Sequence, residues 1–514
     1  MANKKRLAIN MVSQMVVFFV NLLVSFILTP YVTEHVGKDV YGFVNLAFQF
    51  TGYVSLVTTA LNGMASRFIT VSYHKGEKEK ANMYFSSVMA GNFMMSAILL
   101  IPSICLVVFM EHVLQVPSQH LLDVKLLWGF IFANFLVSMY MGGYSVSTYV
   151  ANRLDLSAKR SLENKLLYAA VLFGCFFFFD AKIWYIGLAN FLCGFYLIVT
   201  NIHYTRKLTP ELHFSKAAVK ISAALELIKV GIWNTVQQLA SILINGCDML
   251  ITNLYIDAVS MTMMGYAKTI PGYLMSIIGI VCGSFAPEMT ILYSKGDVDA
   301  FIKYVKSAIK VCGFICSIPI LGFVVFGSHF FHLWLPSLET GDIRMVQILS
   351  VMILAQTIFD VYIYPLYTVN QITCKLRMPV FVSLGIGVAN IIGSIVLCQI
   401  TDLGVYAIQI VSSVLLTARV FFFAPIYAAH ILRQKWYIFY GPLLRGTVSS
   451  AIVVIVFVIV NRFVTIENWL HLVVVAIPCA VIGYAINYLV VLDRKERIMV
   501  KEMIQKKLKK QKNA

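Results

Sequence analysis

Six polar residues between positions 234 and 252 are spaced so that one helix would carry them all on one face. Asn234, Gln238, Ser241, Asn245, Asp248 and Thr252 follow steps of 4, 3, 4, 3 and 4, which at about 100° per residue confines them to an arc of about 80°. Amides and hydroxyls in such a stripe can hydrogen-bond water, a hydroxyl-rich solute or another helix, but they supply no nucleophile. Asn10, Gln14, Asn21, Ser25 and Thr29 make a similar stripe near the N-terminus. Four ionisable residues also lie deep in apolar sequence: Asp248, Lys268, Asp360 and Arg419. Each costs about 2.5–3.5 kcal/mol at the centre of a membrane helix on insertion scales, so each is a functional candidate. Asp248 and Lys268 sit at comparable depth toward one side, Asp360 and Arg419 toward the other. They fit two structural ion pairs. They also fit cations that meet an anionic group, with Asp248 and Asp360 compensating charge or holding a coupling ion such as H+ or Na+.

The elements that position these residues follow from composition. The chain is 59% hydrophobic and 13% charged over 514 residues, and its apolar runs of about 20 residues recur to the C-terminus, each long enough to cross a hydrocarbon core as a helix. The expected fold is therefore an all-α integral membrane protein with about 14 transmembrane helices, the first near 8–30 and the last near 470–491. Lys4, Lys5 and Arg6 precede the first run, which ends Leu28-Thr29-Pro30 with no small-residue cleavage site, so it reads as a retained helix. The polar stripe lies in the seventh span, 231–254.

Charge sets the orientation. Of 41 Lys and Arg, only Lys38, Lys125, Lys182, Arg344 and Arg462 fall on one face and Lys268 and Arg419 within spans; the rest share the face of both termini. Such asymmetry places both termini in the cytoplasm. The net charge of +17 is then a topology signal, and no nucleic-acid partner is expected. The basic tail, 493–514, is expected to fix topology and touch anionic membrane lipids. Ten cysteines are scattered, mostly inside spans, so neither a disulfide framework nor a metal site is expected. No Walker motif, nucleophile elbow or zinc motif occurs, so ATP hydrolysis and covalent catalysis are not expected, nor is any cofactor.

The chain is internally duplicated. Gly52, Tyr53, Gly63, Thr70, Tyr73, Lys75, Gly76, Tyr84 and Ser87 recur 220 positions later as Gly272, Tyr273, Gly283, Thr290, Tyr293, Lys295, Gly296, Tyr304 and Ser307, nine identities in 36 positions. A background of about two or three suits so biased a composition. Gln14, Asn21 and Ser25 shift onto Asn234, Ser241 and Asn245 by the same offset. Six crossings separate the copies, so the repeats are parallel in topology. The expected organisation is an N-lobe 1–204, a cytoplasmic linker 205–230 with an amphipathic helix over 214–227, a C-lobe 231–428, extra helices over 429–492 and the basic tail. Full-length polar stripes on both repeats fit a water-filled cavity between the lobes. Pro271 and Gly272 mark a kink, and Tyr-x-Lys-Gly-acid at 73–77 and 293–297 reads as a turn opening the next helix.

Asn21 to Pro30, Gly37-x-x-x-Tyr41-Gly42, Arg67 and the Tyr73 to Gly76 loop together resemble the start of bacterial polysaccharide flippases of the multidrug, oligosaccharidyl-lipid and polysaccharide exporter (MOP) superfamily. Trp233, Asp248, Tyr266-Ala267-Lys268 and Pro271 resemble the start of that family's second lobe. The resemblance implies two pseudo-symmetric, MATE-like six-helix lobes around a central cavity in the bacterial cytoplasmic (inner) membrane. It implies movement of an undecaprenyl-pyrophosphate-linked oligosaccharide, a polysaccharide repeat unit, to the outer leaflet by alternating access, with polysaccharide assembly proteins as partners. By the same resemblance Lys268 and Arg419 meet the pyrophosphate and sugar acids, while Gln14, Asn21, Ser25, Asn234, Gln238, Ser241 and Asn245 line the cavity. The last two helices are similar to those of the lipid II flippase branch, where they help form a groove for the lipid tail. Span 1 lacks the dense arginines of that branch. The alternatives are a cation-coupled MATE-type drug antiporter, a lipid II flippase and a membrane-embedded glycan polymerase. The antiporter's usual twelve-helix form lacks the extra pair. The polymerase needs a substantial catalytic loop, whereas the longest outer loop, about 328–344, holds only Glu339, Asp342 and Arg344 as charged residues.

Overall fold

The computed structural model describes residues 2–373, 375–493 and 497. The basic tail lies outside the described residues from 494 onward apart from Arg497, as do the side chains of Lys4, Lys5 and Arg6. Among the described residues the chain is helical and contains no strand. Fourteen helices are long and apolar enough to cross a membrane: α1 Val12–Val36, α2 Lys38–His74, α3 Lys78–Val108, α4 Ser118–Val150, α5 Leu154–Phe178, α6 Trp184–Leu208, α7 Ile221–Asn245, α8 Ala258–Ser294, α9 Val298–Trp334, α10 Thr340–Ile372, α11 Arg377–Ile400, α12 Val405–Ile431, α13 Tyr440–Phe463 and α14 Trp469–Val490. Helices satisfy their own backbone groups, which hydrocarbon cannot do for them.

Two boundaries differ from expectation for identifiable reasons. The segment 214–227 is not one amphipathic helix. Its first part is non-helical apart from one turn at Lys216–Ala218, and Ile221 already opens α7. A row of polar side chains on α3 captures the linker's backbone donors: His213 N–H donates to Asn82 Oδ1 at 2.9 Å, Ser215 N–H to Ser86 Oγ at 3.2 Å and Lys220 N–H to Ser87 Oγ at 3.0 Å. With those N–H groups satisfied in extended backbone, helix formation gains less there. The seventh span also ends early. Gly246 and Cys247 interrupt it, and a separate short helix, Asp248–Tyr255, follows. Tyr53 of α2 donates its hydroxyl to the Gly246 carbonyl, and glycine is a weak helix former at that point.

Close contacts divide the chain into one unit of Met1–Thr262 with Ser383–Ile391, and another of Met263–Val382 with Ile392–Ala514. In the first, α2 and α7 approach through glycine. A Cβ on Gly231 would stand 1.9 Å from the Ala60 carbonyl oxygen, and one on Gly63 would stand 2.9 Å from Asn234 Nδ2. Amide pairs add bonds between helices: Asn62 and Asn92 exchange two at 3.1 Å, and Asn134 donates to Asn190 at 2.5 Å. Small residues and amides of this kind hold membrane helices together where burial of apolar surface gives no drive. The Gly42 N–H donates to Thr262 Oγ1 at 2.9 Å, a bond between two positions equivalent under the 220-residue shift. Residues 383–391 of α11 pack on α7, where Asn390 Nδ2 donates to the Ile244 carbonyl at 3.1 Å.

In the second unit Tyr362 is the central buried side chain. Its ring fills the space left by Gly313 of α9 and Gly446 of α13, and its hydroxyl bonds the Gly446 carbonyl at 3.0 Å and Ser450 Oγ at 3.1 Å. Asn487 ties the last helices in: it accepts from Ser449 Oγ at 2.7 Å and donates to Ser317 Oγ at 2.9 Å. Asp493 bridges Lys310 and Arg445 just beyond α14. Prolines inside helices leave the carbonyl four residues earlier without its donor, and three such carbonyls take side-chain hydroxyls instead. Ser350 donates to Ala267 O, before Pro271, at 2.8 Å. Tyr484 donates to Ile315 O, before Pro319, at 3.1 Å, and Tyr440 donates to Phe421 O, before Pro425.

The α2–α7 contact has a direct test. Gly231→Ala inserts a methyl against the Ala60 carbonyl and should destabilise by about 1–3 kcal/mol, seen as a lower Tm of the purified protein. Gly52→Ala, where no atom lies within 4 Å, should leave Tm within a degree or so of wild type on the same scale. Equal effects would show that the close approach carries no strain.

Candidate functional site

The break at Gly246 divides the expected stripe. Asn234, Gln238, Ser241 and Asn245 remain on α7 and are exposed, whereas Asp248 and Thr252 lie on the short helix and are buried. At about 100° per residue the buried Ala223, Leu227 and Gly231 continue the amides' own face toward the start of α7, while the buried Ala240 and Ile244 lie off it. That face is therefore packed at its start, with Asn234 beside Gly63 of α2, and accessible along its amides. Asn234, Gln238 and Ser241 make no side-chain hydrogen bond to another described residue. On α1, Gln14 is exposed and reaches the Leu154 carbonyl at 3.5 Å, while Asn21 and Ser25 are half-buried. Asn10 is instead consumed in structure: it donates to Asn152 Oδ1 at 3.2 Å and accepts from the Asp155 N–H at 3.1 Å.

The second unit joins two of the four intramembrane charges. Arg419 Nη2 lies 3.9 Å from Asp360 Oδ1, and both side chains are mostly buried. Tyr367 completes the group: its hydroxyl donates to Asp360 Oδ1 at 3.2 Å, and the guanidinium lies 5.5 Å from its ring centroid. Arg419 opens a π-helical turn, Arg419–Phe423, which ends two residues before Pro425. One extra residue in that turn rotates Arg419 relative to the rest of α12. Its Nε is buried and makes no hydrogen bond within the described residues, so the guanidinium keeps donor capacity beyond the Asp360 contact. Asp248 falls in the first unit and Lys268 in the second. Lys268 is half-buried and follows Ala267, whose carbonyl Ser350 holds. Among the described residues no group of three His, Cys, Asp or Glu could hold a metal.

A sequence profile of the polysaccharide biosynthesis protein family matches residues 7–287. The chain belongs to that family. It is 27% identical over 508 residues to the uncharacterized membrane protein EpsK of Bacillus subtilis (strain 168), covering 98% of both chains. Among solved structures it matches the lipid II flippase MurJ, in an inward closed conformation, with a TM-score of 0.70 and 15% identity over 96% of this chain and 99% of that one. It also matches a multidrug resistance MATE family transporter of the MOP superfamily, inward-facing, with a TM-score of 0.64 and 14% identity over 84% and 99%. At those identities the likeness is one of fold. The expected all-α architecture and the resemblance to the polysaccharide flippase family are both borne out, and the chain is a multi-pass membrane protein of MOP-type transporter fold.

Sequence reasoning missed two polar centres of this polysaccharide biosynthesis protein. Arg160 is 3% exposed and bonds only neutral acceptors: Asn201 Oδ1, Thr148 Oγ1 at 3.2 Å and the Leu156 carbonyl at 3.3 Å. The apolar run of α5 opens only at Leu166, but the helix starts at Leu154, which puts Arg160 inside it. The linker carries the other centre. Glu211 accepts from the Tyr73 hydroxyl at 2.7 Å and pairs with Lys78 at 3.1 Å. The Tyr73 hydrogen bond, with Lys78 beside it, holds the Glu211 carboxyl below the usual carboxylate range.

Two outcomes follow. Arg419→Gln leaves Asp360 buried with only Tyr367 and should cost about 3–5 kcal/mol; the double variant with Asp360→Asn should cost less than the sum of the singles in thermal unfolding. Additivity within about 0.5 kcal/mol would show no coupling. For Glu211 the lowered value means that the contact is complete at neutral pH and is lost as pH falls through that value. Amide exchange across 211–220, corrected for intrinsic rates, should rise in acid for wild type and be already raised at neutral pH in Glu211→Gln.

Proposed function

We propose that the chain moves a polyprenyl-pyrophosphate-linked oligosaccharide, a polysaccharide repeat unit, from the inner to the outer leaflet of the cytoplasmic membrane, with both termini cytoplasmic. The observation that carries this is the accessible amide face of α7, on which Asn234, Gln238 and Ser241 make no side-chain hydrogen bond to another described residue, inside an otherwise apolar membrane helix. Asn234, Gln238, Ser241 and Asn245, with Gln14, Asn21 and Ser25 of α1, offer the donors and acceptors that sugar hydroxyls need. Lys268 and Arg419 are the candidates for the pyrophosphate, Arg419 through donors that Asp360 leaves unused. Asp360 and Asp248 would compensate charge or carry H+ or Na+. Alternating access would use the two repeats, 1–204 and 231–428, with 205–230 as linker and 429–492 as an added pair. No covalent step is required.

Family membership and the match to a lipid II flippase structure over nearly the whole chain support a lipid-linked cargo. The MATE transporter leaves 16% of this chain uncovered, given its 84% coverage, which weighs against a drug antiporter.

Reconstitution decides between them. Proteoliposomes are loaded with a fluorescent polyprenyl-diphosphate oligosaccharide on one leaflet, and separately with a panel of cationic drugs. Wild type should translocate the lipid, and Asn234→Ala with Gln238→Ala should slow it roughly thirtyfold, about 1 kcal/mol for each lost hydrogen bond. Drug efflux without lipid translocation would overturn the assignment.

A further inference from the structure

A cavity of about 370 Å3 lies between the end of α2, the start of α3 and the start of α7, and it takes no part in the polar face or the Asp360–Arg419 pair. Its charged lining is Arg67, Lys75, Glu77, Lys80 and Glu226, all exposed. The two acids are already engaged. Glu77 lies 3.6 Å from Lys80, and Glu226 accepts from the hydroxyl of buried Tyr84 at 2.8 Å. Arg67 and Lys75 make neither a hydrogen bond nor an ion pair with a described residue.

The duplication separates what the fold needs here from what it does not. Shifted by 220, Lys75 and Gly76 become Lys295 and Gly296, and the turn survives in both copies with positive φ, 84° at Gly76 and 74° at Gly296. Arg67 becomes Pro287 and Lys80 becomes Ala300. The turn therefore forms without those two cations, and neither has a structural partner that explains its charge apart from the exposed Lys80–Glu77 contact, of a kind worth little.

The chemistry of the lining selects a ligand class. A volume of about 370 Å3 falls in the range of small-ligand sites, about 300–1,000 Å3. A guanidinium fork beside two ammonium groups suits phosphate oxygens. Phe68, Val71 and Val230 complete one wall, so apolar surface adjoins the charges, as a lipid headgroup with its glycerol or first isoprene requires. The site lies near the ends of three helices long and apolar enough to cross a membrane, and the headgroups of a bilayer flank such ends.

We propose that Arg67, Lys75 and Lys80 form a binding site for the phosphate-bearing headgroup of a lipid on the face of the membrane where α2 ends. Two lipids offer that chemistry, a polyprenyl diphosphate and an anionic phospholipid. The site is distinct from the residues assigned above to the cargo path, and binding there is measured without transport, so its outcome does not depend on the proposed cargo.

The test uses the full-length protein in phosphatidylcholine nanodiscs, titrated separately with farnesyl diphosphate and dihexanoyl-phosphatidylglycerol, with farnesol as the uncharged control. At least one anion should bind saturably, weaken as salt rises, and lose about tenfold or more in affinity in the double variant Arg67→Gln, Lys75→Gln. The double variant Arg67→Lys, Lys75→Arg should retain most of the affinity. Tighter binding of farnesyl diphosphate assigns the site to the carrier lipid; tighter binding of phosphatidylglycerol assigns it to the bulk membrane. Lys80→Ala, the residue found in the second copy, gives a fold-tolerated single variant that should also weaken binding. No binding of either anion by wild type, or equal affinity in wild type and the glutamine variant, would overturn the proposal.

Discussion

In hydrocarbon a backbone carbonyl that loses its helical donor has no water to turn to, and this constraint organises the second half of the molecule. Pro271, Pro319 and Pro425 each free one carbonyl, and each freed carbonyl meets a hydroxyl from another helix: Ser350 of α10, Tyr484 of α14 and Tyr440 of α13. The bends are thus tied to neighbours as well as permitted by them. Two of the three bonds come from α13 and α14, so the pair that stands outside the duplication is stitched into the helices that the duplication made. The third, at Ala267, lies beside Lys268, and the Phe421 bond closes the π turn that begins with Arg419. Proline chemistry and the placement of the two intramembrane cations are therefore one problem.

In the first half, glycine and asparagine carry the corresponding load. Gly231 lets α7 touch the α2 backbone at the Ala60 carbonyl. Leu227 and Gly231 open the same face of α7 that the amides continue, buried at its start and accessible beyond it. Past the contact of Asn234 with Gly63, that polar face suits water or a polar cargo.

Duplication preserved the turn and let the charges diverge. Gly76 and Gly296 share the left-handed backbone that the turn requires, since glycine alone adopts it without cost. Around them the first copy carries Arg67 and Lys80 where the second has Pro287 and Ala300, its loop is tied to the linker through Tyr73 and Glu211, and Tyr84 ties α3 to Glu226 of α7. Shared geometry with unshared charge is how two related halves take on different tasks.

Much was legible in the chain itself. Run length and composition determine fourteen spans, because a helix must be about 20 apolar residues long to cross a bilayer, and the 220-residue offset determines which spans correspond. Depth along a span likewise brought Asp360 and Arg419 to one level. Three things were decided only by tertiary contact. The break falls at Gly246, where a weak helix former meets the hydroxyl of Tyr53 from another helix, and it removed Asp248 and Thr252 from the accessible face. The linker stayed extended because Asn82, Ser86 and Ser87 of α3 took its N–H groups. Arg160 became a buried cation because α5 starts at Leu154, well before the apolar run that opens at Leu166. Hydropathy registers the cost of leaving water residue by residue; it does not register which distant donor or acceptor repays that cost, and that is what the folded arrangement supplies.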